Sequence, residues 1–150
     1  MLMKVDTCLF CGFVSGSSDT VAVFEDDACY VFLDHRPLFP GHCLVVPREH
    51  YETLADLPTI AVGPFFQRVQ LIARAVQSAI NAEGTFVAMN NRVSQSVPHL
   101  HVHVVPRKKG DGLKGFFWPR TKYKSPEEMV EVGKLIADQI KGLEEMSKVN

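Results

Sequence analysis

The stretch Val97-Pro98-His99-Leu100-His101-Val102-His103-Val104-Val105-Pro106-Arg107 constrains this chain more than any other. His99, His101 and His103 alternate with Leu100, Val102 and Val104. A period of two belongs to a β-strand, because successive side chains leave opposite faces of the sheet. The pattern predicts a half-buried strand with three imidazoles on one face and aliphatic side chains on the other. Alternate residues on a strand lie about 6.6 Å apart, so the outer two histidines are separated by about 13 Å. One metal ion cannot take all three from a straight strand. An adjacent pair could share one; otherwise the three rings have different tasks along one strand. The bland alternative is a strand whose exposed face happens to carry histidines. Three of the six histidines of the chain fall within five residues, which argues against it.

The remainder of the chain reads in order as a single domain over residues 1–150, long enough to bury a real core. Cys8-Leu9-Phe10-Cys11 can close on one zinc ion through a tight turn, and Gly12 suits such a turn. A lone Cys-x-x-Cys is half of a zinc site and needs two further ligands. Redox chemistry is the rival reading, but no βαβ pattern surrounds the pair. Thr20 to Glu25 and Ala28 to Leu33 read as two strands joined at Asp26-Asp27, and His42 to Pro47 as a third. Cys29 and Cys43 fall within these β-rich runs as small core residues. Leu54 to Pro58 is a helical turn or loop. From Thr59 to Asn81 the period changes: Val62, Phe65, Val69, Ile72, Val76 and Ile80 step by three or four, the spacing of a core-facing helix. Pro64 fits only near a first turn, so the regular helix is expected to start around it. Thr85 to Met89 is a strand, and Asn90 to Ser96 a polar loop feeding the histidines. Gly115-Phe116-Phe117-Trp118-Pro119-Arg120 is an aromatic cluster without clear period. Ser125-Pro126-Glu127-Glu128 is a helix start, with a capping serine, proline at the first position and acid in the first turn. The amphipathic run after it reaches about Gly142.

The fold expected is α+β: a mostly antiparallel sheet of about five strands, one long helix and a C-terminal helix. A formal net charge of −1 offers no basic excess for nucleic acid. No apolar stretch approaches the length of a membrane span, and Met1-Leu2-Met3-Lys4 is not followed by an apolar leader. A cytoplasmic location is expected, with reduced thiols or metal-bound cysteines rather than disulfides.

His99-Leu100-His101-Val102-His103-Val104-Val105 resembles the signature of the histidine triad (HIT) family, in which three histidines alternate with apolar residues and an apolar pair closes the motif. Asp26-Asp27, Asp34-x-x-Pro37, Pro40-Gly41-His42 and Val45-Val46-Pro47-Arg48-x-His50 resemble the family's amino-terminal half. The likeness runs from about Cys8 to Arg107. It implies a HIT-like fold, a homodimer and a nucleotidyl hydrolase acting on a purine nucleotide, with adenosine the expected nucleoside. The middle histidine, here His101, attacks the α-phosphate of an AMP-type conjugate and forms a covalent nucleotidyl-histidine. Water then cleaves it. His103 contacts the phosphate, and His42 matches a histidine that supports the nucleophilic ring.

By the same resemblance Leu9, Phe10 and Phe32 hold the base, Asp34 the ribose, and Asn90, Gln95 and Ser96 the phosphate. Asn91 could replace Asn90, and Arg92 could reach a distal phosphate. This loop, Asn90-Asn91-Arg92-Val93-Ser94-Gln95-Ser96-Val97, lacks the glycines usual in the family and is about two residues shorter. A zinc-bearing branch uses two amino-terminal cysteines, a later histidine and the first triad histidine. The matching residues are Cys8, Cys11, His50 and His99, a closed set suited to structural Zn2+. Val104-Val105-Pro106-Arg107-Lys108 and Ser125-x-Glu127-Glu128-Met129 look Fhit-like and favour dinucleoside polyphosphates, whereas Hint-like members take adenosine phosphoramidates. The superfamily's transferases replace the third histidine by glutamine, so His103 points to hydrolysis. Trp118 and its neighbours are expected near the leaving group. A nucleotide-binding sensor with incidental turnover is the second function class. A purely structural zinc module is a third, and leaves His42, His101 and His103 unexplained.

Overall fold

The computed structural model describes residues 7–113 and 121–148. The chain divides into two compact units, residues 1–111 and 112–150. The first holds helix α1 (Leu9–Ser15), strands β1 (Ala22–Glu25), β2 (Cys29–Leu33) and β3 (Cys43–Pro47), a 3₁₀ turn at Leu54–Asp56, helix α2 (Thr59–Ala79), and strands β4 (Gly84–Ala88) and β5 (Val102–Arg107). The strands form one antiparallel sheet in the order β1-β2-β3-β5-β4. The α+β expectation with five antiparallel strands therefore holds.

Alternation along the central strands sends one set of side chains to each face. Cys29, Val31, Cys43, Val45, Val102 and Val104 join Phe65, Val69, Ile72 and Val76 of α2 in the larger core. Cys29 and Cys43 are buried there as small apolar residues. Tyr30, Phe32, Leu44 and Val46 point to the other face and pack with Phe10 of α1. The sheet is covered on both sides, so the prediction of a half-buried strand is corrected: His99 is 0% exposed and His101 3%. The regular strand also begins only at Val102, leaving His99 in a bend and His101 in the segment that leads into the strand.

The sequence predicts a tight turn at Cys8–Cys11, and the structure has helix α1 there. It is short and contains Gly12, and its apolar step is confined to Phe10, Phe13 and Val14. Packing of Phe10 and Cys11 against the sheet holds it, as expected for a helix too short to be stable alone. The Cys8 side chain caps it by accepting the Cys11 N–H, and Gly16 ends it at φ 76°. Helix α2 starts at Thr59 rather than around Pro64, which lies inside it. The carbonyl that Pro64 leaves without an intrahelical donor belongs to Ile60, 88% exposed and within reach of water. Gly41 has φ +98°, and a Cβ there would lie 2.7 Å from Ile80 Cγ1, so the turn before β3 requires glycine.

The β1–β2 turn is pinned to α2. Asp26 accepts from the Ala28 and Cys29 N–H groups and from Arg68 Nε at 2.8 Å. Burial alone would raise the Asp26 carboxyl, but these donors outweigh it and hold its pKa below the usual value. A depressed carboxyl pKa gives stability that is present above the unfolded-state value and lost as the pH falls through the folded one. Thermal melts of wild type and Asp26→Asn should therefore differ at pH 7 and converge below the ordinary carboxylate range, around pH 4. A gap that stays constant with pH would remove the ion pair as its source.

The second unit contains α3 (Pro126–Ser147), whose start matches the sequence reading. The Ser125 hydroxyl oxygen accepts the Glu128 N–H at 3.1 Å, with Pro126 in the first turn. Gly115 to Arg120, including Trp118, lies outside the described residues. Among the described residues no helix is long and apolar enough to cross a membrane.

Candidate active site and metal centre

The antiparallel register decides which rings meet. Leu44 pairs with His103 and Val45 with Val102, so His42 lies diagonally across from His103, while His101 falls nearer Val46. His42 Nε2 is 3.0 Å from His103 Nδ1. The expectation that His42 supports the nucleophilic ring is corrected here: its partner is the third triad histidine. The Leu38 N–H donates to His42 Nδ1 at 3.1 Å, which makes that nitrogen the acceptor and leaves the proton on Nε2. His42 Nε2–H then donates to His103 Nδ1, and His103 keeps its proton on Nε2. One backbone amide thus fixes two tautomers and presents an N–H donor at the far nitrogen of His103. Burial first, and then electrostatic coupling to the neighbouring His101 and His42 rings, pushes the His103 pKa down to about 4, so the ring is neutral at pH 7.

His101 is set the opposite way round. Its Nδ1–H donates to the His99 carbonyl at 2.7 Å. The proton is committed there and Nε2 carries a bare lone pair. Burial lowers its pKa as well, which keeps the lone pair available at neutral pH. Phe10 meets the His101 ring edge-on at 5.1 Å between centroids, and the His101 and His103 rings are 5.1 Å apart.

Both rings open on a cavity of about 850 Å³. Of the residues expected to hold a nucleotide, Leu9, Phe10, Phe32, Asp34 and Ser96 line it. Phe10 and Phe13 each stand edge-on to Phe32, at 5.1 and 5.0 Å, and together they give the cavity an apolar wall. Asp34 accepts the Arg36 N–H at 2.9 Å through Oδ1, and its Oδ2 is 3.8 Å from His42 Nε2, beyond hydrogen-bond length. Phe13 was missed because α1 was missed: once that segment is a helix, Phe10 and Phe13 stand three apart on one face. Ser18, Asp19 and Thr20 also line the cavity and carried no sequence signal.

Asn90 and Gln95 are not brought into this lining. Asn90 Nδ2 donates to the Ser94 carbonyl at 3.2 Å. Gln95 accepts the Arg92 N–H and donates to the Glu52 carbonyl, both at 2.7 Å. Asn91 Oδ1 accepts the Leu54 N–H at 2.8 Å. In a loop this short the amides replace missing backbone partners and brace the turn, in which Arg92 and Ser94 have positive φ. Arg92 acts on the Asp56 carboxyl and does not line the cavity.

Cys8, Cys11, His50 and His99 converge, with their four ligand atoms all within 4.8 Å of one another. Cys11 Sγ lies 3.3 Å from His50 Nδ1 and 3.5 Å from His99 Nδ1, and Cys8 Sγ lies 3.5 Å from His99 Nδ1. A tetrahedral zinc with ordinary bond lengths would set sulfur and nitrogen about 3.5 Å apart, so the donor set fits that ion. The second shell agrees. His99 Nε2 is 3.0 Å from the Pro47 carbonyl and donates to it, which leaves Nδ1 bare for a metal. Burial and the neighbouring Cys8 push the Cys11 thiol up to about 12, a penalty that a bound dication would reverse.

The HIT domain family matches residues 15–110 of the chain. Adenylylsulfatase HINT3 of Arabidopsis thaliana is 36% identical over 108 residues, which cover 71% of this chain and 55% of that protein. Adenosine 5'-monophosphoramidase hnt1 of Schizosaccharomyces pombe is 32% identical over 137 residues, 90% of this chain and 99% of that protein. Among solved structures, a zinc-bound histidine triad family protein of Mycobacterium smegmatis is similar with a TM-score of 0.69 and 33% identity, over 95% of this chain and 99% of that one. Three histidines brought together in sequence and in space at the start of the inner strand β5, and a family match that spans them, lead to one assignment: this chain belongs to the histidine triad (HIT) family.

Proposed function

We propose that the chain is a nucleotidyl hydrolase that cleaves AMP-type conjugates at the α-phosphate through a covalent nucleotidyl-histidine on His101. The observation that carries this reading is the opposed setting of two adjacent rings. His101 offers a bare Nε2, and His103 offers an N–H, to the same cavity. Nε2 of His101 forms a bond to the α-phosphorus while the bond to the leaving group breaks, and the leaving group takes up a proton. His103 Nε2–H donates to a phosphate oxygen as charge develops there. Water then attacks the same phosphorus and the N–P bond breaks. The balance is one conjugate and one water giving a nucleoside monophosphate and the protonated leaving group.

The relatives named adenylylsulfatase and adenosine 5'-monophosphoramidase support an adenosine conjugate as substrate. The Fhit-like residues after the triad keep dinucleoside polyphosphates beside phosphoramidates as substrates to compare. The test is AMP release from both classes, with acid-quenched protein searched by mass spectrometry for a nucleotidyl adduct on the peptide that contains His101. Tight binding without turnover or adduct would favour a nucleotide sensor.

The reading includes a structural Zn2+ on Cys8, Cys11, His50 and His99, supported by their fit to that ion and by the zinc-bound relative. All four positions are filled by side chains, so the metal would tie α1 to the segment bearing the triad and leave the chemistry to the histidines. It also includes a homodimer, for which Leu71 on α2 and Val87 on the edge strand β4 leave apolar surface, at 49% and 42% exposure. Sedimentation at the mass of a monomer would remove the dimer.

A further inference from the structure

The nucleotide cavity has a neighbour. A second cavity of about 500 Å³ shares Leu9, Ser96 and Val97 with it and continues to Thr7 and Glu52. Cys8 and His50 complete much of its wall, but both belong to the metal set. Glu52 is the one carboxylate among the residues that line it.

The backbone that carries this residue is held in place. The Leu100 N–H donates to the Tyr51 carbonyl at 2.6 Å, Gln95 Nε2 to the Glu52 carbonyl at 2.7 Å, and the Leu54 N–H to Asn91 Oδ1 at 2.8 Å. Residues 51–54 are thereby laced to the loop that carries Ser96 and leads into the triad. A group passing Ser96 away from the phosphate enters a space that Glu52 borders.

We propose that this second cavity receives the leaving group, and that Glu52 selects leaving groups bearing a positive charge, the class of amines with a second ammonium. The inference rests on the hydrolase reading above and adds the substrate's other half to it. A carboxylate at this place attracts an ammonium and repels a further phosphate, so it turns the site from polyphosphates towards phosphoramidates of charged amines. Glu52 is exposed, so the attraction is screened and modest, about three- to fivefold in kcat/KM. It should weaken as salt rises.

The test uses two matched substrates: AMP joined through a P–N bond to butylamine, and AMP joined in the same way to one end of 1,4-diaminobutane. Wild type should prefer the second by about three- to fivefold, at an ionic strength near 50 mM. Glu52→Gln keeps the bracing backbone carbonyl and should bring the ratio to about one, leaving the rate on the uncharged butyl substrate unchanged. Glu52→Lys should invert the preference. An equal ratio in wild type and Glu52→Gln, with both substrates turned over, would overturn the subsite and leave the hydrolase reading standing. Turnover of neither substrate, nor of diadenosine polyphosphate, would overturn both.

Discussion

His101→Ala is expected to lower AMP release on the order of 10⁴-fold or more while the Kd for AMP changes by less than about threefold, because removing a covalent nucleophile removes the reaction path rather than the binding surface. The cavity that would hold the nucleotide is made by Phe10, Phe13, Phe32 and Asp34; Phe10 touches the His101 ring and is also held by Phe13 and Phe32. The nucleotidyl adduct should vanish in the same variant. His103→Ala makes the informative contrast. It deletes a hydrogen-bond donor to developing charge, a loss of about 10²- to 10³-fold, and it should leave the adduct detectable. If His101→Ala retained wild-type rates, or if the adduct mapped to His103, the roles derived from the two tautomers would be wrong. The geometry leaves little room for exchanging them. The His99 carbonyl takes the Nδ1 proton of His101, whereas the Leu38 amide, acting through His42, leaves His103 protonated on Nε2.

The second large effect concerns the metal set. Cys11→Ser, or exhaustive chelation of wild type, should bring bound zinc from about one per chain to none and lower the melting temperature by roughly 10 °C, about 3 kcal/mol for a chain of this size. Two thiols and two imidazoles that face one another, with Cys11 and His99 buried and Cys8 and His50 half-buried, make a poor core without an ion. The His99 ring, for which burial pushes the pKa down to about 4, cannot compensate by taking a proton. Replacing zinc by Co2+ should give the visible absorption of a tetrahedral site with sulfur ligands. An unchanged melting curve in Cys11→Ser, with no metal found in wild type, would sink the structural zinc. His99 joins the two predictions, because its Nδ1 faces the cysteines and its carbonyl holds His101. The side chain serves one site and the backbone of the same residue serves the other.

Local pattern made much of this molecule legible. The alternation of histidines with aliphatics, the three- and four-residue steps of α2, the Ser125-Pro126 start of α3 and the turns before β2 and β3 are all set by residues near one another in the chain. The identities of Cys8, Cys11, His50 and His99 were readable too, since their chemistry fits one ion and the HIT resemblance supplied the set. What the sequence did not disclose is non-local. A helix of only two turns, too short for its period to stand out, exists because the sheet offers Phe10 and Cys11 a place to be buried. That helix turns the histidine face from half-exposed to buried, which no alternation pattern could announce. The pairing of β3 with β5 then sends His42 to His103 rather than His101, and a backbone amide at Leu38 sets both protons. Asn90 and Gln95 have the right chemistry for a phosphate, but in a shortened loop their amides bond backbone groups of the loop and of Glu52. Residue type and spacing determine which groups are available and which face each takes. Register and burial, which depend on strands brought together from distant parts of the chain, decide which group meets which and where each proton resides.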